Sequence, residues 1–139
     1  MQVIDMNVAV TLQIRRDHDA WLADLRFRNV GEGEAPLLTF QLPANGVVSS
    51  DVFTIEVEAA DGEPRVAPYV GPRVKRSAPG REHFIMLSPG QELAYTVDLS
   101  ACYRISPAAR TGRAAYAAYH GDVDLFGRLW QLRSNHATL

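Results

Sequence analysis

The sequence predicts an all-β fold, and two observations carry the prediction. Apolar and polar residues alternate with a period of two in several short runs. The clearest is Val8, Val10, Leu12 and Ile14 against Ala9, Thr11, Gln13 and Arg15, the pattern of strands with one buried face. Between such runs stand clusters of Gly, Pro, Asn and Asp, and this spacing favours a sandwich of short strands over a helical fold. The expected architecture is an Ig-like antiparallel β-sandwich of about seven or eight strands. The 139 residues are expected to form one domain, 1–139, long enough to close a core.

Taken in order, Val8 to Ile14 is the first strand and Arg16-Asp17-His18-Asp19 a polar turn. Trp21, Ala23, Leu25 and Phe27 then alternate with Leu22, Asp24, Arg26 and Arg28, completing a hairpin. Asn29 to Pro36 is a turn cluster, because its glycines permit positive φ and its proline removes a donor. Leu37 to Leu42 reads as a short strand closed by Pro43. Phe53, Ile55 and Val57 alternate with polar neighbours before Asp61-Gly62, a hairpin-turn dipeptide, and Arg65 to Tyr69 is the expected return. Further strands are expected at Glu82 to Leu87, Gln91 to Leu99, Arg113 to Tyr119 and Phe126 to Arg133. Ala101 to Thr111 has room for a helical turn but is broken by Pro107 and followed by Gly112.

Composition narrows the classes. The chain is 47% hydrophobic and 22% charged, which suggests neither disorder nor a membrane protein. A net charge of −2 gives no global attraction for nucleic acid or an anionic membrane, so neither is an expected partner. Cys102 is the sole cysteine, which excludes an intramolecular disulfide. The first sixteen residues lack the basic start and apolar stretch of a signal peptide, and no window approaches the ~18 apolar residues of a membrane span. A complete chain of this kind is expected in the cytoplasm, and one whose signal peptide has been removed is expected in the periplasm or outside the cell.

Four ordered features carry a family resemblance: the paired strands Val8 to Ile14 and Trp21 to Asn29; Asp51-Val52-Phe53 with Asp61-Gly62 and Tyr69 to Pro79; Leu87-Ser88-Pro89-Gly90-Gln91; and Asp98-Leu99-Ser100 with Tyr103. Over roughly Val8 to Asn135 they resemble the N-terminal propeptide-like domain of the deuterolysin and peptidyl-Lys metalloendopeptidases. The resemblance implies a domain that assists folding of a zinc protease domain and holds it inactive until processing. The chain departs from the pattern at Ser106 to Thr111 and at Ala114, where the family tends to have a tyrosine; Tyr116 or Tyr119 is the available substitute.

Each feature also has a local reading. Pro89-Gly90 suits a type II turn, and Asp98-Leu99-Ser100 with Tyr103 suits a loop crossing between sheets, with the tyrosine as anchor. In Tyr69 to Pro79, Pro72 and Pro79 disfavour a central strand and Lys75-Arg76 sets two cations on a loop or edge. One account is edge protection and solvation; the other is a contact surface for a partner. The candidate residues for contact are Tyr69, Gly71, Pro72, Lys75, Arg76 and Pro79.

No enzyme is expected. Zinc protease chemistry needs two histidines four apart on a helix with a glutamate between them, whereas His18, His83, His120 and His136 are scattered. They are expected on solvated loops or edges, with no metal or other cofactor. His120-Gly121-Asp122 with Asp124 reads as a turn, Cys102 as a half-buried structural thiol, and Gly31-Glu32-Gly33 lacks the helix that phosphate binding requires. Trp130 is expected to pack between sheets. The functional expectation is a non-catalytic protein-binding domain whose partner is a zinc metalloprotease domain, engaged through the Tyr69–Pro79 loop. The alternative is a self-associating module that pairs free sheet edges into a homodimer.

Overall fold

The computed structural model describes residues 3–107, 109 and 111–139; Ala108 and Arg110, inside the stretch Ala101 to Thr111, lie outside them. β1 (Val8–Asp17) and β2 (Ala20–Asn29) form the expected hairpin, with Asp17 opposite Ala20 and His18 at φ 54 in the tight turn. β3 (Ala35–Leu38), β4 (Phe53–Glu58), β5 (Pro64–Val66), β6 (Phe84–Leu87) and β7 (Glu92–Asp98) follow. The short α1 (Leu99–Cys102) leads to β8 (Gly112–Asp122), α2 (Val123–Phe126), β9 (Arg128–Arg133) and β10 (Ala137–Thr138).

Two antiparallel sheets make the sandwich. One runs β1-β2-β7; the other runs β10-β8-β4-β5, with β9 pairing the far half of β8. Their inner faces meet through Ala23, Leu25 and Phe27 of β2 and Tyr116 and Ala118 of β8, all buried. Phe27 and Tyr116 pack edge to face at 5.3 Å, and Phe53 of β4 meets Tyr116 at 5.7 Å. Edge-to-face packing sets the positive rim of one ring against the negative face of the next.

Ten strands among the described residues exceed the seven or eight expected, for two reasons. β3 and β6 pair only with each other. β9 and β10 are one edge of β8 interrupted by a bulge: Ala117 opposes Arg133 but Ala114 opposes Ala137, so three residues face two. At that bulge the Asn135 side chain reaches β1, accepting from Leu12 N at 2.8 Å and donating to Leu12 O at 2.9 Å. An amide side chain there does the work of a neighbouring strand and ties the two sheets together.

Several expected boundaries move. Leu37 to Leu42 is not a strand: β3 starts at Ala35 and yields to a 3-10 turn at Thr39–Gln41, where side chains of β8 take the backbone groups a ladder would use. Arg65 to Tyr69 shortens to β5; Ala67 N still donates to Ile55 O at 2.8 Å, and Pro68, which faces away from β4, accepts at its carbonyl from Arg104 N at 2.9 Å. Phe126 to Arg133 becomes α2 and then β9. Asp122 caps α2, accepting from Asp124 N and Leu125 N, and Gly127 at φ 86 ends it. Pro89-Gly90 is the expected type II turn, with Gly90 at φ 81 and Gln91 N donating to Ser88 O at 2.9 Å. Asn45-Gly46 makes a further tight turn, both residues at positive φ and Ala44 and Val47 exchanging backbone bonds.

Trp130, opposite His120 in the ladder, packs against the core but is only half-buried, lying over Gly121 under the Arg128 guanidinium, 5.0 Å from the ring centre. Cys102 is fully buried instead of half-buried.

Candidate contact surface at the Tyr69–Pro79 loop

The loop leaves β5 at the end of the sandwich where α1 crosses between sheets. Tyr103, just past α1, is buried; its phenol donates to Asp51 Oδ1 at 2.8 Å and accepts from Phe53 N at 2.9 Å. Burial pushes this phenol well above the ordinary tyrosine range, so it stays a neutral donor. It is the anchor expected of the crossing. Tyr69 bridges Tyr103 in the backbone and packs its ring 5.4 Å from it. The Cys102 carbonyl accepts from both Val70 N at 2.8 Å and Gly71 N at 3.1 Å.

From this anchored start the chain turns outward. The Tyr69 phenol donates to Pro72 O at 2.5 Å, folding the ring over Gly71. A Cβ on residue 71 would stand 2.7 Å from the phenol oxygen, which is why glycine is needed there. Burial raises the Tyr69 phenol above its ordinary value, with the Arg73 guanidinium pulling against it, 5.4 Å from the ring centre.

Arg73 to Ala78 is exposed and carries no regular structure. The two expected cations part company. Arg76 donates to Ser49 Oγ at 2.7 Å and stacks its guanidinium 4.1 Å over Phe40, which in turn leans on His83 at 4.8 Å. Lys75 is exposed and, among the described residues, makes no ion pair. Pro72 is exposed and Pro79 half-buried, so the loop holds Tyr69, Gly71 and Arg76 against the body and presents Pro72 and Lys75.

Three features of this surface escaped the sequence reading. Val66, Val70 and Val74, spaced four apart, are exposed at 62%, 46% and 49%. Arg73 is exposed beside them. Residues 64–81 hold Arg65, Arg73, Lys75, Arg76 and Arg81 but no carboxylate, in a chain of net charge −2. The absence of acidic residues was the signal available.

The other polar groups are not brought together. His120 is not a turn residue: it lies in β8 and is fully buried. Its Nδ1 accepts from Leu38 N at 2.9 Å, so the ring proton sits on Nε2 and is donated to the Tyr116 phenol at 2.8 Å. That phenol donates onward to Gln41 O at 2.8 Å. Burial lowers the His120 pKa to about 4 and pushes the Tyr116 phenol up. Tyr116 thus fills an anchoring role, whereas Tyr119 is exposed. Asp122 caps α2 and does not touch His120. No cluster of three or more metal-binding side chains occurs among the described residues, and no helix among them is long and apolar enough to cross a membrane.

No protein-family model matches the chain. An extracellular protease of Aeromonas hydrophila is 35% identical over 83 residues, covering 60% of this chain and 22% of that protein. The chain thus has a partial, distant similarity to a protease and spans less than a quarter of the matched protein's length.

Proposed function

We propose that this chain is a non-catalytic binding domain related to the propeptide-like domains of zinc metalloproteases, engaging a protease domain through the Tyr69–Pro79 loop. The observation that carries the reading is the loop itself. Its base is fixed by Tyr69, Tyr103 and the Cys102 carbonyl, while Val70, Arg73, Val74 and Lys75 stand exposed without acidic residues among them. A rigid base limits the ordering entropy that a partner would otherwise have to offset. Exposed valines beside unpaired cations fit a surface with an apolar patch and carboxylates. The partial similarity to an extracellular protease supports a protease as the partner class, and a periplasmic or extracellular location.

The experiment is a titration against the Aeromonas hydrophila extracellular protease deleted of its matched 83-residue segment. The wild-type chain is expected to slow peptide hydrolysis or raise refolding yield. The Arg73→Glu/Lys75→Glu chain is expected to do neither while melting at the same temperature. Equal effects from the two chains would remove the loop from the reading, and no effect from either would remove the protease.

A further inference from the structure

The sheet edges differ in how they are guarded. On β1, Asn135 occupies both backbone groups of Leu12, and Arg15 and Arg16 follow. β5 is three residues long and begins with Pro64. Charges, prolines and short strands are the usual protections against edge pairing. β7 has none of them in its centre: Leu93 to Val97 reads Leu-Ala-Tyr-Thr-Val.

The register identifies the free backbone groups. Asn29 N donates to Gln91 O, so the alternation assigns Leu93, Tyr95 and Val97 to bonds with β2 and turns Glu92, Ala94, Thr96 and Asp98 outward. Asp98 N donates to Gly46 O at 2.9 Å, which agrees with this alternation and closes that end. Among the described residues, the outward N–H and C=O groups of Glu92, Ala94 and Thr96 have no partner. The open stretch is therefore centred on Ala94.

We infer that β7 pairs antiparallel with the β7 of a second copy of this chain, about a two-fold axis at Ala94. The strand is complementary to itself in that register. Ala94 meets Ala94 through a small exposed side chain, Glu92 faces Thr96, and Leu93 faces Tyr95, in both directions. Leu93 and Tyr95 lie on the inner face, half-buried, and the apolar and aromatic pair would cover what the edge leaves open. The nearby carboxylates already have partners: Arg26 holds Glu92 at 2.9 Å, and Arg15 and Thr96 hold Asp24 at 3.0 and 2.9 Å. Each copy presents the same patch, as a two-fold interface requires, and the three-stranded sheets join into one.

Sedimentation equilibrium of the full chain over a dilution series tests this. Wild type is expected to approach twice 15.4 kDa at about 1 mM. Ala94→Lys and Ala94→Asp, exposed on the outer face, are each expected to sediment at the single-chain mass with unchanged melting temperature, since like charges would face each other across the axis. An equimolar mixture of the two is expected to recover the dimer. A wild-type chain that stays monomeric at that concentration, and so leaves the edge to a strand of another protein, overturns the inference. So does an Ala94→Lys chain that dimerises as wild type does, or a mixture that shows no recovery.

Discussion

Two phenols whose rings both pack against Phe53 tie loops to the sandwich, and they do so under opposite conditions. Tyr103 holds the α1 crossing to the start of β4 and ends on the Asp51 carboxylate, which is itself exposed. Tyr116 holds the turn after β3 through Gln41 and shares its hydroxyl with His120, fully enclosed. A network that ends at water can absorb a change in charge; one sealed in the core cannot. The two ties should therefore answer differently to substitution and to acid.

The largest break comes from Tyr116→Ala, which removes a ring packed on both Phe27 and Phe53 together with the polar link to Gln41. A loss of about 3 to 5 kcal/mol is expected, read as a shift of the urea midpoint.

The comparison is sharpest in pH. An unfolded histidine titrates near 6.5 and folded His120 at about 4. Between these values the unfolded chain binds a proton that the folded chain refuses, so the contribution is whole above 6.5 and is lost as pH falls toward 4. The expected loss is about 3 kcal/mol across that window. His120→Gln, compared with wild type by denaturant titration at each pH, should remove that part of the slope. An unchanged slope would put the acid sensitivity elsewhere.

Tyr103→Phe leaves the Phe53 N–H without its acceptor and should cost about 1 to 3 kcal/mol, with the pH slope attributed to His120 intact. Smallest is Asp51→Asn: an amide oxygen still accepts from Tyr103, so a thermal melt should show under about 1 kcal/mol of loss. A large effect there would mean that the charge of Asp51 matters, not only its oxygen.

The strands that alternate with one buried face, β1, β2, β4 and β7, were legible because period two and burial coincide in them. Ala114, Tyr116, Ala118 and His120 share one parity in β8 and all face the core, so His120 could have been read as buried from its position in that run. Reading it with Gly121 and Asp122 as a turn hid this. The Asn45-Gly46 turn carries its own signal in both residues, since each readily adopts positive φ. Other features were beyond sequence pattern. Arg76 is held by Phe40 and Ser49, far away in the chain, and nothing in its neighbours foretells that. The same holds for Asn135 pairing with Leu12 across 123 positions. The Tyr69–Pro79 segment was legible as an exposed loop, but its division into anchored and presented residues depended on tertiary contacts.

The single thiol gives the protein an internal clock. Cys102 is shut away at 1% exposure beneath the same crossing whose carbonyl fastens the Tyr69 loop. A thiol reagent can reach it only when that end of the sandwich opens, so the labelling rate in native buffer reports how often the loop's base lets go. A bound partner that clamps the loop would slow the clock, and one that docks elsewhere would leave it running.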